Sequence, residues 1–206
     1  LIAHRVTRGP RDFHCPPATP VVDLPTPRAS LDAQVAEVRG LRVLLGGDQG
    51  MSVQEGDAAP AFELPATGGR TVSLAAMTGK PFVLYFYPKA DTPGCTKEAC
   101  AFQEALPQLG KIGLDVIGVS PDKLPPIEKF AAKYNLTFPL ASDAEKTAAA
   151  AYDTWVEKSM YGRKYMGMER SSFLVDKAGK IAKIWRKVSV TGHAAEVMEA
   201  AQALAP

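Results

Sequence analysis

Two cysteines five residues apart, Cys95 and Cys100, carry the strongest latent chemistry in this sequence. A thiolate is a nucleophile, a metal ligand and one half of a disulfide. The surrounding residues narrow these options. Cys95 follows the turn-forming run Thr92-Pro93-Gly94, and apolar residues then recur at Ala99, Phe102, Leu106 and Leu109. That spacing is the period of a helix with one buried stripe. Cys95 therefore falls in the first helical turn, where unpaired N–H groups and the positive dipole end stabilise an anionic sulfur. Position alone leaves two readings open, a reactive thiolate or a small buried hydrophobe. In an intact helix Cys100 stands about 140° around the axis and about 7.5 Å along it from Cys95. A disulfide needs Cα atoms within about 7 Å and converging Cβ vectors. The two sulfurs can join only if the first turns unwind.

Competing chemistries lack their parts. A zinc site needs four ligands at recognisable spacing, and one cysteine pair with a distant histidine does not supply them. A cysteine hydrolase needs a histidine base. Beyond residue 51 the one histidine is His193, which sits beside Gly192 at the start of a helix and reads as a capping or solvent-exposed residue. The run Gly46-Gly47-Asp48-Gln49-Gly50 lacks the Lys-Ser/Thr ending of a phosphate loop.

The elements that must position Cys95 are legible from residue 51 onward. Residues 62–64 and 71–74 read as short strands around the turn Thr67-Gly68-Gly69. Residues 82–87, Phe-Val-Leu-Tyr-Phe-Tyr, are continuously apolar or aromatic, as in a central strand covered on both faces, and Pro88 ends it. Helices are expected at 95–109, 126–134, 144–152 and 193–204, and further strands at 114–119, 172–175 and 181–186. This alternation predicts an α/β fold, a mixed sheet with helices on both faces. In such sheets ligand sites gather where strands end and helices begin, which is where the loop 88–95 lies.

Here the residues match a family pattern. The string Tyr85-Phe86-Tyr87-Pro88, followed by Thr92-Pro93-Gly94-Cys95-Thr96-Lys97-Glu98-Ala99-Cys100, resembles the peroxiredoxins, and within them the bacterioferritin comigratory or Q-type subfamily. Pro88, Thr92 and Cys95 fit the Pro-x-x-x-Thr-x-x-Cys motif, and the resemblance implies that Cys95 is the peroxidatic cysteine. The segment Met168-Glu169-Arg170-Ser171-Ser172-Phe173-Leu174 is similar to the one that contributes the family's active-site arginine, here Arg170. Cys100 matches the resolving cysteine of those subfamily members that have one, which implies a Cys95–Cys100 disulfide as the oxidised state. The resemblance covers about residues 52–205 and implies a thioredoxin-like fold. It also implies hydroperoxides as substrates, thioredoxin or a similar dithiol as reductant, and a monomer, with no metal, flavin or haem.

Each implied role has a physical basis. Arg170 offers a permanent cation with forked donors for a peroxide oxygen and the thiolate. Thr92 has a hydroxyl to donate to peroxide or sulfur, or alternatively to nearby backbone. Pro88 removes a backbone donor and shields the thiolate, or simply terminates a strand. Glu98, in the same turn as Cys95, either orients Arg170 or favours the helix N-terminus. A thioredoxin-type oxidoreductase would share the fold but needs Cys-x-x-Cys, which is absent. A redox-sensing or chaperone-like module using the same cysteine pair differs from an enzyme only in turning over once.

Bulk properties set the outer limits. The 206 residues are 46% hydrophobic, enough for one well-buried core. A net charge of +2 gives no field to hold nucleic acid or an anionic membrane. No run approaches the roughly 18 apolar residues of a membrane span. Three cysteines do not make a secreted disulfide framework, so a reducing cytoplasm fits, where a disulfide is transient and catalytic. Residues 1–50 differ sharply from the rest: six of the ten arginines, none of the fourteen lysines and one aromatic, Phe13. They are expected to be a disordered or artefactual extension with Met51 as the natural start, their one ordered candidate being a helix at 30–45. His14-Cys15 lies in that stretch and is given no function. Five acidic residues there argue against a targeting peptide.

Overall fold

Strand β3 (Phe82–Phe86) organises the fold, and its five side chains are all buried. They alternate between two cores. Val83 and Tyr85, with Tyr87 beyond the strand end, pack with Phe102 and Leu109 of helix α1 (Pro93–Lys111), Ile127 and Phe130 of α2 (Leu124–Lys133) and Val197 of α4 (His193–Gln202). Phe82, Leu84 and Phe86 face the opposite way, toward Ala148 and Ala149 of α3 (Thr147–Ala151), Tyr152 and Phe62. A strand with helices on both faces has no solvent side, so its sequence is an unbroken apolar run rather than an alternating one. These statements come from a computed structural model that describes residues 52–160 and 162–204. The expectations for residues 1–50, for Met51 as the start and for a helix at 30–45 lie outside the described residues.

The main sheet has seven strands in the order β2-β1-β5-β4-β3-β8-β9. β1 (Glu63–Ala66) and β2 (Arg70–Ser73) form the hairpin expected around Thr67-Gly68-Gly69, with β1 starting one residue and ending two residues later than expected and β2 lying one residue earlier. β4 (Asp115–Ser120) runs parallel to β3, whereas β8 (Ser171–Val175) runs antiparallel to it and pairs with β9 (Ile181–Trp185). The sheet is therefore mixed, with helices on both faces, as the element order predicts.

Three strands escape the sequence reading. β5 (Leu140–Ser142) is three residues long, too short to show a period, and is held by parallel pairing to β4. β6 (Trp155–Met160) and β7 (Arg163–Met168) form a separate two-stranded sheet whose exposed, charged face gives no hydrophobic alternation. The helices also differ at their ends. α1 starts at Pro93, because proline is suited to the first helical position, and α3 shrinks to five residues.

Candidate active site

The site forms where β3 gives way to α1. The Tyr87 N–H still reaches the Val119 carbonyl at 2.9 Å, but half-buried Pro88 has no N–H to continue the ladder, and the chain turns away. Thr92 is the residue before α1, with extended backbone (φ −96°, ψ 151°). Its hydroxyl donates back to the Lys89 carbonyl at 3.1 Å, closing the loop on itself. This is the backbone-bonding alternative for Thr92.

Cys95 is the third residue of α1 and only 2% exposed. Arg170 comes from 75 residues away, and strand register explains how. Phe86 of β3 pairs with Ser171 of β8, so the residue preceding Ser171 lies level with the point where β3 ends. From there Arg170 Nη2 donates to Cys95 Sγ at 3.2 Å. Arg170 Nη1 donates to Glu98 Oε2, one turn further along α1. The Arg170 carbonyl accepts from the Val188 N–H at 2.9 Å, which fixes the backbone beneath the guanidinium.

Gly94 lies beside the Arg170–Cys95 contact: a Cβ built there would be 3.4 Å from Arg170 Nη2, an ordinary van der Waals distance.

The charges are arranged in series. Burial pushes the Glu98 carboxyl up to about 7, a cost that attraction to Arg170 only partly offsets. Glu98 Oε1 has no hydrogen-bond partner, which is consistent with a carboxyl that is costly to ionise. Burial opposes the charge on Arg170 too, but Glu98 and the Cys95 sulfur together hold its pKa above the ordinary value. The guanidinium thus stays cationic between two acceptors. Of the two alternatives for Glu98, it is the pairing with Arg170 that occurs.

Cys100 is also buried, 8% exposed, and is not bonded to Cys95. The expected apolar stripe is present at Cys95, Ala99, Phe102 and Leu109, with Leu106 half-buried. Thr96, Glu98 and Cys100 are buried in addition, because the start of α1 is covered on more sides than one helix face. Tyr85 stacks on Phe102 (4.8 Å) and on Tyr87 (5.6 Å). Burial pushes both phenols well above their ordinary range, so these rings beside the sulfur remain neutral.

His193 differs from expectation. It is neither a helix cap nor exposed: it is 2% exposed, its Nε2 is 2.8 Å from Ser172 Oγ, and it packs edge-on against Phe102 and Trp185. Burial, with a contribution from Arg170, lowers its pKa to about 4, so the ring is neutral. Its position beside glycine at a helix start suggested the surface; packing of α4 against α1 and the sheet decided otherwise. Among the described residues no group of three or more His, Cys, Asp or Glu side chains could hold a metal, and no helix is long and apolar enough to cross a membrane.

Comparison with known proteins shows the family and the fold. Residues 55–184 match the AhpC/TSA family. Peroxiredoxin Bcp of Bacillus subtilis is 46% identical over 149 residues, covering 72% of this chain and 95% of that protein. Peroxiredoxin Q of Xanthomonas campestris superposes with a TM-score of 0.68 at 42% identity, covering 70% of this chain and 92% of that one. A mutant of Xylella fastidiosa PrxQ superposes at 0.72 with 38% identity, covering 76% and 100%.

Proposed function

Because this chain belongs to the AhpC/TSA family and is a peroxiredoxin of the Bcp and Q kind, a thiol peroxidase, we propose that Cys95 is its peroxidatic cysteine and Cys100 its resolving cysteine. The observation that carries the assignment is the 3.2 Å contact from Arg170 Nη2 to the buried Cys95 Sγ, with Glu98 on the other arm of the same guanidinium.

The Cys95 thiolate attacks the terminal oxygen of a hydroperoxide ROOH. The S–O bond forms as the O–O bond breaks, the electron pair leaves on RO⁻, and a proton from water gives ROH. Arg170 faces both the sulfur and the oxygen on which charge develops, and a preformed donor at that place lowers the barrier without reorganisation. The Thr92 hydroxyl, which donates to the Lys89 carbonyl in the resting loop, must swing from that carbonyl to reach the incoming peroxide, while Pro88 keeps backbone donors away from the sulfur and Glu98 holds Arg170. The product is Cys95 sulfenic acid. The Cys100 thiolate then attacks its sulfur, forming the disulfide and releasing hydroxide, which is protonated to water.

A dithiol of the thioredoxin type reduces the disulfide in the cytoplasm, and the enzyme acts as a monomer on hydrogen peroxide and organic hydroperoxides. A solved structure of the Xanthomonas campestris bacterioferritin comigratory protein is described in terms of alkyl peroxide reduction, which supports the organic substrates. The test is NADPH consumption with thioredoxin, thioredoxin reductase and hydrogen peroxide. Wild type should turn over repeatedly, and Cys95→Ser should not turn over at all while keeping its fold. A single equivalent consumed by wild type would point to a redox sensor instead, and activity in Cys95→Ser would remove the assignment.

A further inference from the structure

Four residues before the nucleophile, Asp91 holds the left-handed backbone conformation at φ 56°, uncommon for a residue with a side chain. Its carboxylate is held by three hydrogen bonds from the end of α2. Lys133 Nζ donates to Oδ1 at 2.9 Å and to Oδ2 at 2.8 Å, and the Tyr134 hydroxyl donates to Oδ1 at 2.9 Å. Lys133 lies over the Tyr134 ring, 5.1 Å from its centroid. Tyr134 packs edge-on against Phe130, which in turn meets Tyr87 in the core. The Tyr134 donor is thus anchored to the core through Phe130, while Lys133 and the carboxylate are exposed.

The preceding residue is fixed from the other side. The Ala90 N–H donates to Asp122 Oδ2 at 2.7 Å, and Ser120 at the end of β4 donates to the same oxygen at 3.1 Å. Successive loop residues are therefore pinned to two different elements, and Thr92, the residue that opens α1, comes next. None of these hydrogen bonds involves Cys95. What they do is set where Thr92 sits and in which direction the first turn of α1 leaves the sheet.

We propose that Asp91 is a positioning residue for peroxide reduction, its carboxylate clamped by Lys133 and Tyr134 so that the loop presents Thr92 and Cys95 in register with Arg170. This rests on the assignment of Cys95 as the peroxidatic residue. An unclamped loop leaves the helix start free to shift by a fraction of an ångström relative to Arg170, and reactions that depend on near-attack geometry are sensitive to such shifts.

The test is single-turnover reduction of hydrogen peroxide by the reduced enzyme. Asp91→Gly keeps the left-handed backbone at no steric cost and deletes the clamp. It should lower the second-order rate with peroxide about tenfold while the unfolding midpoint barely moves. Lys133→Met, which leaves the loop sequence and the Tyr134 bond untouched, should show a smaller loss in the same direction, and the double variant should be no slower than Asp91→Gly alone. Asp91→Asn, whose amide oxygen still accepts from Tyr134, should recover part of the rate. A wild-type rate in Asp91→Gly, or losses that add in the double variant, would overturn the proposal. Cys95→Ser measured alongside separates the two readings: activity there removes the assignment of the nucleophile, whatever Asp91 does.

Discussion

Replacing Glu98 by glutamine tests the electrostatics of the site most directly, because it keeps the shape of a fully buried side chain and removes only its ability to ionise. Burial raises Glu98 from the ordinary 4.5 to about 7. A carboxyl raised in the folded state binds its proton more tightly there than in the unfolded chain. That contribution to stability is complete below about pH 4.5 and is lost as pH rises through about 7. The whole change is about 3 kcal/mol, and about 2 kcal/mol of it falls between roughly pH 5.5 and pH 8. His193 works against it. Lowered from 6.5 to about 4, it destabilises the fold progressively as pH falls below 6.5, so the wild-type profile alone would conceal Glu98. The difference between wild type and Glu98→Gln cancels the His193 contribution. Urea unfolding at the two pH values should show wild type losing about 2 kcal/mol relative to the variant on going to the higher pH, or about 4–8 °C in melting temperature. A difference constant to within about 0.5 kcal/mol would mean that Glu98 is ionised throughout, and that Arg170 outweighs burial.

Arg170→Met should slow the reaction with peroxide at least about tenfold, since the cation at 3.2 Å from the sulfur is gone; a wild-type peroxide rate in stopped-flow would refute the role of the contact. Cys100→Ser should accumulate sulfenic and then sulfinic acid at Cys95 under excess peroxide, because condensation no longer competes with further oxidation. In wild type, one equivalent of peroxide should give an intramolecular disulfide and loss of hydrogen-exchange protection over residues 95–101, with protection retained from Gln103 onward. Closure must break the Lys97–Thr191 and Glu98–Arg170 contacts, whereas the Gln103–Thr137 bonds at 2.8 and 3.1 Å hold the rest of α1 in place. Mass spectrometry and exchange on the oxidised protein check both points, and unchanged protection over 95–101 would refute the unwinding. Gly118→Ala should destabilise the fold by about 1–3 kcal/mol in urea unfolding, since a Cβ there would lie 2.6 Å from Leu140 Cδ2 and 2.7 Å from the Tyr85 ring and hydroxyl; a neutral result would mean that Tyr85 shifts freely.

Much of this was written locally in the chain. The apolar run of β3, the proline that stops it, and the turn and stripe that place Cys95 at a helix start all depend on neighbouring residues, so periodicity and turn chemistry reveal them. The family pattern then singled out Arg170 and Cys100 without geometry. What depends on distant pairing could not be read this way. The pairing of Phe86 with Ser171 delivers Arg170 to the sulfur, the packing of α4 on α1 buries His193, and the end of α2 supplies the donors that hold Asp91. β5 and the β6–β7 hairpin were missed for the same reason: a three-residue strand and an exposed ribbon draw their order from the strands beside them rather than from their own sequence. Sequence alone determined which side chains had the chemistry. The sheet, by bringing residues 75 positions apart into hydrogen-bond contact, decided which of them act on Cys95.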